Sequence, residues 1–275
     1  MSGHIFDRCP AVLFCVVGIY LRTILGLTFW IRDIFDLQGQ CGAAYRGLEL
    51  MAGCCNFSIA MIDTKQWVMC AMDVVFDKHL HDLANTSVQG KILKSIADGV
   101  WHYVHFGLDC LTWTRLANPP YRTNAWLDGI PGLRKDKMEL LALHNNLFRF
   151  MLAVLSACAA QVIPVSLENG ESTMLWLHHL LAPWLSRYSR TTVVTDYCQY
   201  GMPYRKRTRF LCSHDGLQPM VRRCKCPGKH REVLKGSKVV KGRWQARSKM
   251  SQAYPPKLCF TWAHCVCGMA KTRFG

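Results

Sequence analysis

Residues 47–58 read Gly-Leu-Glu-Leu-Met-Ala-Gly-Cys-Cys-Asn-Phe-Ser. This stretch is a mostly apolar run, then a glycine typical of a turn, then the polar Asn56 at which a new element can begin. The run Gly47–Met51 predicts a strand, and Asn56–Ile62 predicts the first turns of a helix. A second apolar run, Trp67–Met72, then closes on the carboxylate of Asp73. Strands that alternate with helices at this spacing favour an α/β domain with a mostly parallel sheet.

The same alternation continues toward the C-terminus. Helical periodicity and apolar runs predict three further helices and four further strands. The helices are expected at Val88–Asp98, Lys135–Gln161 and Ser172–Leu185, the last broken at Pro183. The strands are expected at Val100–Phe106, Val162–Leu167, Thr191–Thr195 and Thr208–Cys212.

The chain of 275 residues is globular in composition and strongly basic, with 50% hydrophobic residues and a formal net charge of +16. Between residues 216 and 250, eleven Lys and Arg face the single acid Glu232, so this segment carries +10 of the total. A charge of this size favours a polyanionic partner, most simply nucleic acid. A solvated basic tail is the alternative.

Cysteine usage and the N-terminus bear on the compartment. The fifteen cysteines are scattered and odd in number, which indicates thiols in a reducing compartment, nuclear or cytoplasmic. The run Cys9–Ile31 is apolar except for Arg22 and is long enough for a membrane anchor. A charge near its middle is costly in a bilayer, so a buried leading helix or an unreliable start codon is the preferred explanation. A membrane partner is not expected.

Five short segments, taken in order, resemble the motif series of the DNA cytosine-C5 methyltransferases. The Thr-Trp-Thr-Arg at 112–115 is similar to a divergent, retroelement-associated branch of that family. The resemblance implies the Rossmann-like fold of an S-adenosylmethionine-dependent methyltransferase, with a small basic C-terminal recognition segment. The segments are Leu48–Gly53, Leu108–Cys110, Leu167–Gly170, Gly201–Thr208 and Ala253–Pro255.

The resemblance also implies a domain layout. An apolar leader would occupy residues 1–43 and the methyltransferase core residues 44–215. The basic recognition segment would span residues 216–250, and residues 251–275 would return to the core as the last motif. Pro255 and Pro256 precede the apolar run Leu258–Ala263, which is typical of a helix start.

By the same resemblance, S-adenosylmethionine would lie around the first two strands. Glu49, Met51 and Gly53 follow or end the first strand, and Gly53 would let the backbone approach the cofactor. Asp73 would bind the ribose hydroxyls and Asp82 would lie near the adenine. Cys55 stands where the family often has a second glycine.

The resemblance makes Cys110 the nucleophile that attacks cytosine C6. The family's proline before it is replaced by Asp109, whose charge raises the thiol pKa by repulsion. Glu168 would hold a proton on or near cytosine N3, with Asn169 beside it. Gly170 replaces the usual Val or Pro, and Glu171 with Ser172 also fits a helix cap.

The family's arginine-rich motif matches Arg205 and Arg207, which would seat the cytosine and grip the flanking phosphates. Further cations would bind nucleic acid; these are Arg115, Lys206, Arg209, Arg222, Arg223 and Lys225. DNA is the expected partner, RNA is left open, and no protein partner is predicted. Because the recognition segment is short, little sequence readout is expected.

Two other patterns remain open. Cys224-x-Cys226-x3-His230, with Cys212 or His214 upstream, could bind one zinc ion, although Cys-x-Cys is a less usual spacing than Cys-x2-Cys. Asn118-Pro119-Pro120-Tyr121 is the tetrapeptide with which amino-methyltransferases hold an adenine N6 or cytosine N4 amine. The residues before it are too polar for a buried strand, which favours C5 chemistry at Cys110. A third alternative keeps the fold and binds nucleic acid without turnover.

Overall fold

The computed structural model describes residues 43–240 and 242–275. The described part holds a main sheet of six strands, a separate hairpin and five α-helices. The main strands are β1 (Tyr45–Leu50), β2 (Trp67–Met72), β3 (Tyr103–Gly107), β4 (Val165–Gly170), β5 (Thr191–Asp196) and β6 (Arg207–Cys212). The helices are α1 (Asn56–Asp63), α2 (Thr86–Ala97), α3 (Lys135–Ala160), α4 (Ala182–Tyr188) and α5 (Pro256–Phe274).

The strand order in the main sheet is β2-β1-β3-β4-β6-β5. The pairs β2–β1, β1–β3 and β3–β4 are parallel, whereas β6 runs antiparallel to both of its neighbours. This confirms the predicted Rossmann-like α/β fold with a mostly parallel sheet. The chain leaves β1 toward β2 on one side and returns to β3 on the other, so a crevice opens at the carboxyl ends of these strands.

Three predicted elements have a boundary that is wrong by three residues or more. β3 begins at Tyr103 rather than Val100, because Val100 still donates its N–H to the Ser95 carbonyl at the end of α2. β4 begins at Val165 rather than Val162, which has a left-handed φ of 55° and closes α3. Pro183 lies in the first turn of α4, where a missing N–H is tolerated.

The segment from Ser172 to Leu185 is therefore not one broken helix. A short 3-10 helix at Met174–Leu177 precedes α4, and Thr173 rather than Glu171 or Ser172 is the residue before it. The expected cap by Glu171 and Ser172 is thus not formed. Inside the basic segment, the structure adds a hairpin that the sequence did not predict, made by β7 (Ser237–Val240) and β8 (Arg243–Ala246).

Helices cover both faces of the sheet and form two apolar cores. The core on one face takes side chains from α2, α3 and α4, such as Ile92, Met151 and Trp184. The core on the other face is built on α1 and α5, whose Phe57 and Trp262 rings stack with centroids 3.7 Å apart. The stacking places α5, near the end of the chain, directly against the helix that follows β1.

Among the described residues, α3 is the one helix long and apolar enough to cross a membrane by length and composition. Its buried side chains, including Met151, Val154 and Leu155, belong to the core over the sheet, which is the ordinary environment of such a helix. The run Cys9–Ile31, which sequence analysis weighed as an anchor, lies outside the described residues.

Phe57→Ala should lower the free energy of unfolding by about 3–5 kcal/mol, because it removes a buried ring and leaves a cavity beside Trp262. Phe260→Ala on α5 is the matched control, since Phe260 is 47% exposed whereas Phe57 is 0% exposed. The control should cost about 1 kcal/mol or less. Urea denaturation followed by circular dichroism measures both; equal costs would contradict the packing of α5 on α1.

Candidate active site

The loop after β1 forms one wall of the crevice at the carboxyl edge of the sheet. Ala52 donates its N–H to the Met72 carbonyl at 3.0 Å, and Gly53 donates its N–H to Asp73 Oδ2 at 2.9 Å. Gly53 has a φ of 54°, and a Cβ placed on it would have no atom within 4 Å. The backbone at Gly53 therefore faces open space beside the Asp73 carboxylate, as a bound cofactor requires.

The other residues predicted for the cofactor are placed differently. Glu49 is fully buried, and its Oε2 accepts hydrogen bonds from the Ser58 N–H at 3.0 Å and the Ser58 hydroxyl at 2.5 Å. It fixes the first turn of α1 and is not on the open side of the crevice. Met51 is half-buried with a φ of 59°, and Asp82 caps its own turn through Ala84 N–H at 3.0 Å.

Cys55 occupies a left-handed backbone conformation, with a φ of 56°. A side chain is disfavoured there, by roughly 1–2 kcal/mol. The family's second glycine would relieve this strain, so the substitution that sequence analysis noted has a backbone cost. The loop nevertheless keeps its course, because Cys55 donates its N–H to the Ala52 carbonyl at 2.9 Å.

Cys110 follows β3 in a loop that is tied to the adjacent strand. Asn169 Nδ2 donates a hydrogen bond of 2.7 Å to the Leu108 carbonyl, which holds the loop against the end of β4. Burial is the main cause that raises the pKa of Cys110, and Asp109 and Glu168 raise it further, whereas Lys206 lowers it. The Asp109 effect expected from the sequence is present, but burial exceeds it.

Glu168 is buried and pairs with Gly107 in the β3–β4 register, three residues before Cys110, whose pKa its charge raises. Its Oε2 accepts a hydrogen bond from the Tyr254 hydroxyl at 3.1 Å, and Lys206 Nζ lies 3.7 Å from Oε1, beyond hydrogen-bond length. Within the described residues, no group donates a hydrogen bond to Oε1. Burial raises the pKa of Glu168, and Lys206 and Tyr254 oppose that rise. Oε1 is thus a buried oxygen that can hold a proton.

A line of hydrogen bonds runs from α5 through the sheet to Glu168. Trp262 Nε1 donates to the Tyr103 hydroxyl at 3.1 Å, and Tyr103 donates to the Ser166 hydroxyl at 2.7 Å. His105 links Ser166, 2.8 Å from Nδ1, to the Tyr254 hydroxyl, 3.1 Å from Nε2.

The line has one consistent direction when Tyr254 donates to Glu168. The Tyr254 oxygen must then accept from His105, which places the histidine proton on Nε2 and leaves Nδ1 to accept from Ser166. Burial lowers the pKa of His105 to about 3, so the ring is neutral at physiological pH, as this tautomer requires. Every dipole in the line points its positive end toward the carboxylate.

In the charged turn before β6, Lys206 rather than its arginine neighbours faces Cys110 and Glu168. Burial alone would lower the pKa of Lys206, but Tyr197, Glu168 and Cys110 outweigh it and the net shift is upward. Its ammonium also donates to the Ser251 carbonyl at 3.2 Å. The residue that sequence analysis assigned to nucleic-acid binding is therefore part of the candidate catalytic cluster.

Arg205 and Arg207, predicted to be catalytic, turn instead to the buried Asp196 at the end of β5. Arg205 Nε lies 3.0 Å from Asp196 Oδ1, and Arg207 Nη2 lies 3.1 Å from Oδ2. Arg207 is the register partner of Asp196 in the β5–β6 pair, which brings its guanidinium to this carboxylate. Burial would raise the pKa of Asp196, but its hydrogen bonds to Arg207, Cys224 N–H and Arg205 give a net lowering.

The remaining residues predicted to contact nucleic acid have individual surroundings. Arg115 is exposed and donates to Asn124 Oδ1 at 2.9 Å, and Arg209 lies 3.8 Å from Glu171. The Arg222 guanidinium lies over the Tyr200 ring at 4.7 Å. Arg223 and Lys225 are exposed. The exposed cations among them add positive charge to the surface.

The loop after Cys110 is held by a buried arginine that sequence analysis missed. The Arg122 guanidinium stacks 3.6 Å over the Trp113 ring and donates to Asn145 Oδ1 at 2.7 Å. It also donates to the carbonyl of Thr112 at 3.2 Å. Burial lowers the pKa of Arg122 to about 10, which leaves it charged at neutral pH. No local pattern marks such a residue, because its partners are far apart in the chain.

The rival tetrapeptide at 118–121 lies in a loop well beyond the end of β3. Asn118, Pro119 and Pro120 are exposed, and the Pro119 carbonyl accepts a hydrogen bond from Lys137 at 2.9 Å. In amino-methyltransferase chemistry that carbonyl must be available to the substrate amine. The strand that feeds the crevice leads to Cys110, as the sequence indicated.

The zinc pattern is only partly brought together. Cys224, Cys226 and His230 lie near one another, whereas Cys212 is buried at the end of β6 with its Sγ 2.8 Å from His214 Nδ1. Cys198 takes the fourth place in the cluster.

A separate groove of about 730 Å³, between α5 and residues 214–219, lies at the opposite edge of the sheet from Cys110.

Comparison with known proteins gives distant likenesses. No family model matches the chain, and no curated protein does. Among solved structures, Dnmt2 methyltransferase of S. pombe is 14% identical with a TM-score of 0.38, over 61% of this chain and 50% of that one. A mutant of Spodoptera frugiperda DNMT2 is 14% identical with a TM-score of 0.37, over 66% of this chain and 53% of that one. The chain thus spans about half the length of these structures, and the assignment below rests on its own residues.

Tyr254→Phe should raise the pKa of Glu168 further, because the tyrosine hydrogen bond is one of the influences that lower it. Carboxyl ¹³C NMR titration of glutamate-labelled protein measures the shift. Tyr204→Phe is the matched control, since its hydroxyl bonds to the Met250 carbonyl at 3.0 Å and does not contact Glu168. An unchanged or lowered pKa in Tyr254→Phe would exclude the hydrogen-bond line described above.

Lys206→Met and Asp109→Asn should shift the pKa of Cys110 in opposite directions. The first removes the cation that lowers this pKa, so it should rise; the second removes a carboxylate that raises it, so it should fall. The asparagine keeps an oxygen for the Leu111 N–H, which Asp109 Oδ1 accepts at 2.8 Å. The pH dependence of iodoacetamide alkylation at Cys110, followed by mass spectrometry, gives both values. Shifts of the same sign would contradict this arrangement.

Proposed function

We propose that this protein is a nucleic-acid methyltransferase that transfers a methyl group to cytosine C5, with DNA as the preferred substrate. One observation carries the proposal: Glu168, with a buried unbonded oxygen and a raised pKa, lies beside Cys110 at the carboxyl edge of a Rossmann-like sheet. A nucleophile and a proton-holding carboxyl on adjacent strand ends are what attack on a pyrimidine ring requires. Membership of the retroelement-associated branch rests on residues 112–115 alone and stays a prediction.

The residues divide the chemistry between them. Cys110 loses its thiol proton to water, and its sulfur forms a bond to cytosine C6. As the sulfur bonds to C6, the C5–C6 electron pair moves into the C4–C5 bond, the C4–N3 π pair moves onto N3, and N3 takes the proton of Glu168 Oε1, so that C5 becomes nucleophilic. After methylation, water takes the C5 proton, the double bond re-forms, the bond from C6 to sulfur breaks, and N3 returns its proton to Glu168.

Lys206 lowers the free energy of the charged species formed in these steps. Its ammonium lies 3.7 Å from Glu168 Oε1 and lowers the pKa of Cys110, so it favours the thiolate before attack. It also stays beside the carboxylate that Glu168 becomes once N3 is protonated. A fixed cation near the developing charge needs no rearrangement during the reaction.

The crevice fits S-adenosylmethionine at Gly53 and Asp73. The open space over Gly53 admits the cofactor close to the backbone, and the Asp73 carboxylate beside it offers an acceptor for ribose hydroxyls. When bound, the cofactor supplies the electrophilic methyl group that C5 takes up. Glu49 holds the start of α1 beside this loop through its hydrogen bonds with Ser58. Contact of Asp82 with the adenine remains a prediction.

Charge supports a nucleic-acid substrate. The net charge of +16 and the exposed Arg222, Arg223 and Lys225 suit the phosphate backbone. Because Cys110 and Glu168 lie in the crevice, the target base must leave its stack to reach them. RNA presents the same base and phosphates, so the two substrates are compared below. A nuclear or cytoplasmic location remains the expectation from the free thiols.

A protein that binds nucleic acid without turnover is the second candidate. The raised pKa of Cys110, caused first by burial and also by Asp109, favours it, because a protonated thiol does not attack C6. The cation Lys206 and the line of donors to Glu168 favour the enzyme. If Lys206 and Glu168 had only a structural role, the buried Glu168 carboxyl would not require an oxygen without a hydrogen bond.

Wild-type protein incubated with labelled S-adenosylmethionine should form 5-methylcytosine faster on DNA than on RNA, as identified by mass spectrometry of the nucleosides. Cys110→Ala should lower the rate by at least about a thousandfold. Glu168→Gln should lower it by roughly a hundredfold to ten-thousandfold. In both variants nucleic-acid binding should persist. Cys265→Ala, a half-buried thiol on α5, is the control and should keep full activity.

The covalent step has its own readout. An oligonucleotide with 5-fluorocytosine should remain bonded to Cys110, because fluorine cannot leave C5 as the proton does. Methylation at an exocyclic amine would move the active site to residues 118–121. Binding without any methylated product and without an adduct would establish the second candidate and reject the enzyme.

A further inference from the structure

A cluster of thiols and one imidazole lies where the basic segment leaves the main sheet. Cys198 is in a short 3-10 helix, Tyr197–Tyr200, directly after β5, and Cys224, Cys226 and His230 are on the following basic loop. Their ligand atoms all lie within 4.8 Å of one another. Cys224 Sγ is already 3.4 Å from His230 Nε2. These residues are separate from Cys110 and Glu168, and the proposed reaction does not use them.

The geometry points to a structural zinc site with Cys198, Cys224, Cys226 and His230 as ligands. Zinc in such sites is tetrahedral, with Zn–S bonds of about 2.3 Å and Zn–N bonds of about 2.0–2.1 Å. Those bonds place neighbouring ligand atoms roughly 3.5–3.8 Å apart. The cluster needs only a small contraction to reach that spacing, and three thiolates with one imidazole are a ligand set that structural zinc sites use.

The surroundings hold the ligands without the metal. The buried Asp196 accepts the Cys224 N–H at 2.9 Å, and the Asp196 N–H donates to the Arg222 carbonyl at 2.8 Å. Gln199 Nε2 donates to Cys226 Sγ at 3.5 Å, which orients that sulfur. Three thiolates with one Zn²⁺ leave a net negative charge, which the nearby guanidinium of Arg205 and the cations of the basic loop offset.

The ligand set differs from the one predicted from the sequence. The sequence pattern includes Cys224, Cys226 and His230 but predicts Cys212 or His214 as the fourth ligand. Cys212 Sγ is instead buried against His214 Nδ1 at 2.8 Å. Cys198 had no mark in the sequence, because it lies 26 residues before Cys224 and reaches the loop only through the turn after β5.

Zinc here joins the basic segment to the sheet. Cys198 continues from β5, whose end holds Arg205 and Arg207 through Asp196, whereas Cys224 and Cys226 flank Lys225 in the basic loop. The metal would fix the cations Arg222, Arg223 and Lys225 relative to that strand end. This role concerns the fold of the basic segment and stands whether or not the protein transfers methyl groups.

The full chain, purified under reducing conditions without chelator, should hold about one zinc ion, measured by inductively coupled plasma mass spectrometry. X-ray absorption at the zinc edge should give three sulfur ligands at about 2.3 Å and one nitrogen at about 2.0 Å. Removal with a chelator and return of Zn²⁺ should restore protection from hydrogen exchange at residues 222–230. A chain without zinc that cannot take up Zn²⁺, or a disulfide within the cluster, would overturn the proposal.

Variants distinguish the ligand set from general loss of folding. Cys198→Ser and Cys226→Ser should each lower the zinc content at least tenfold, while the circular dichroism of the main domain stays unchanged. Cys265→Ser, a half-buried thiol on α5, and Cys212→Ser, the alternative ligand, should retain zinc. Zinc that persists in Cys198→Ser, or that is lost in Cys212→Ser with the domain still folded, would reject this set.

Discussion

The contact between the Tyr254 hydroxyl and Glu168 Oε2, at 3.1 Å, joins the C-terminal segment to a central strand of the sheet at the candidate site. Glu168 belongs to β4, at the centre of the sheet, and Tyr254 begins the segment that leads into α5. The same segment contacts the start of α1, because Asn56 Nδ2 donates to the Tyr254 carbonyl at 2.7 Å. At Gly107 a Cβ would lie 2.6 Å from the Tyr254 hydroxyl, so the tyrosine also needs the glycine at the end of β3. A buried carboxyl with one bonded and one unbonded oxygen depends on all of these elements.

A second buried carboxylate organises the neighbouring edge. Asp196 binds Arg205 and Arg207 through its side chain and receives the Cys224 N–H. Two arginines on one carboxylate keep it ionised against the cost of burial. They also turn away from Cys110, which leaves Lys206 as the cation that faces the nucleophile. Their contacts with Asp196, and the contact of Lys206 with Glu168, thus separate neighbouring cations into structural and chemical roles.

Sequence reasoning reached the fold and part of the site for identifiable reasons. Apolar runs that alternate with helical periodicity predicted the main strands and long helices, since burial sets that pattern locally. Gly53, Asp73, Cys110 and Glu168 were predicted as site residues because each lies at or just after the end of a predicted strand, and parallel strands end at one edge. The errors fell where a helix end continues into an apolar run, at Val100 and Val162, and in the basic hairpin at 237–246, where charge hides the strand pattern.

The sequence by itself determined the order of the elements, the residue types at the strand ends and the surplus of positive charge. These depend on neighbours in the chain, through burial periodicity and turn chemistry. The tertiary structure alone decided which residues meet: Lys206 rather than Arg205 at Glu168, Glu49 in the interior with Ser58, Arg122 over Trp113, and Cys198 rather than Cys212 beside Cys224. Each of these contacts joins distant or alternately facing residues, and their pKa values follow from burial and from charges that no local pattern contains.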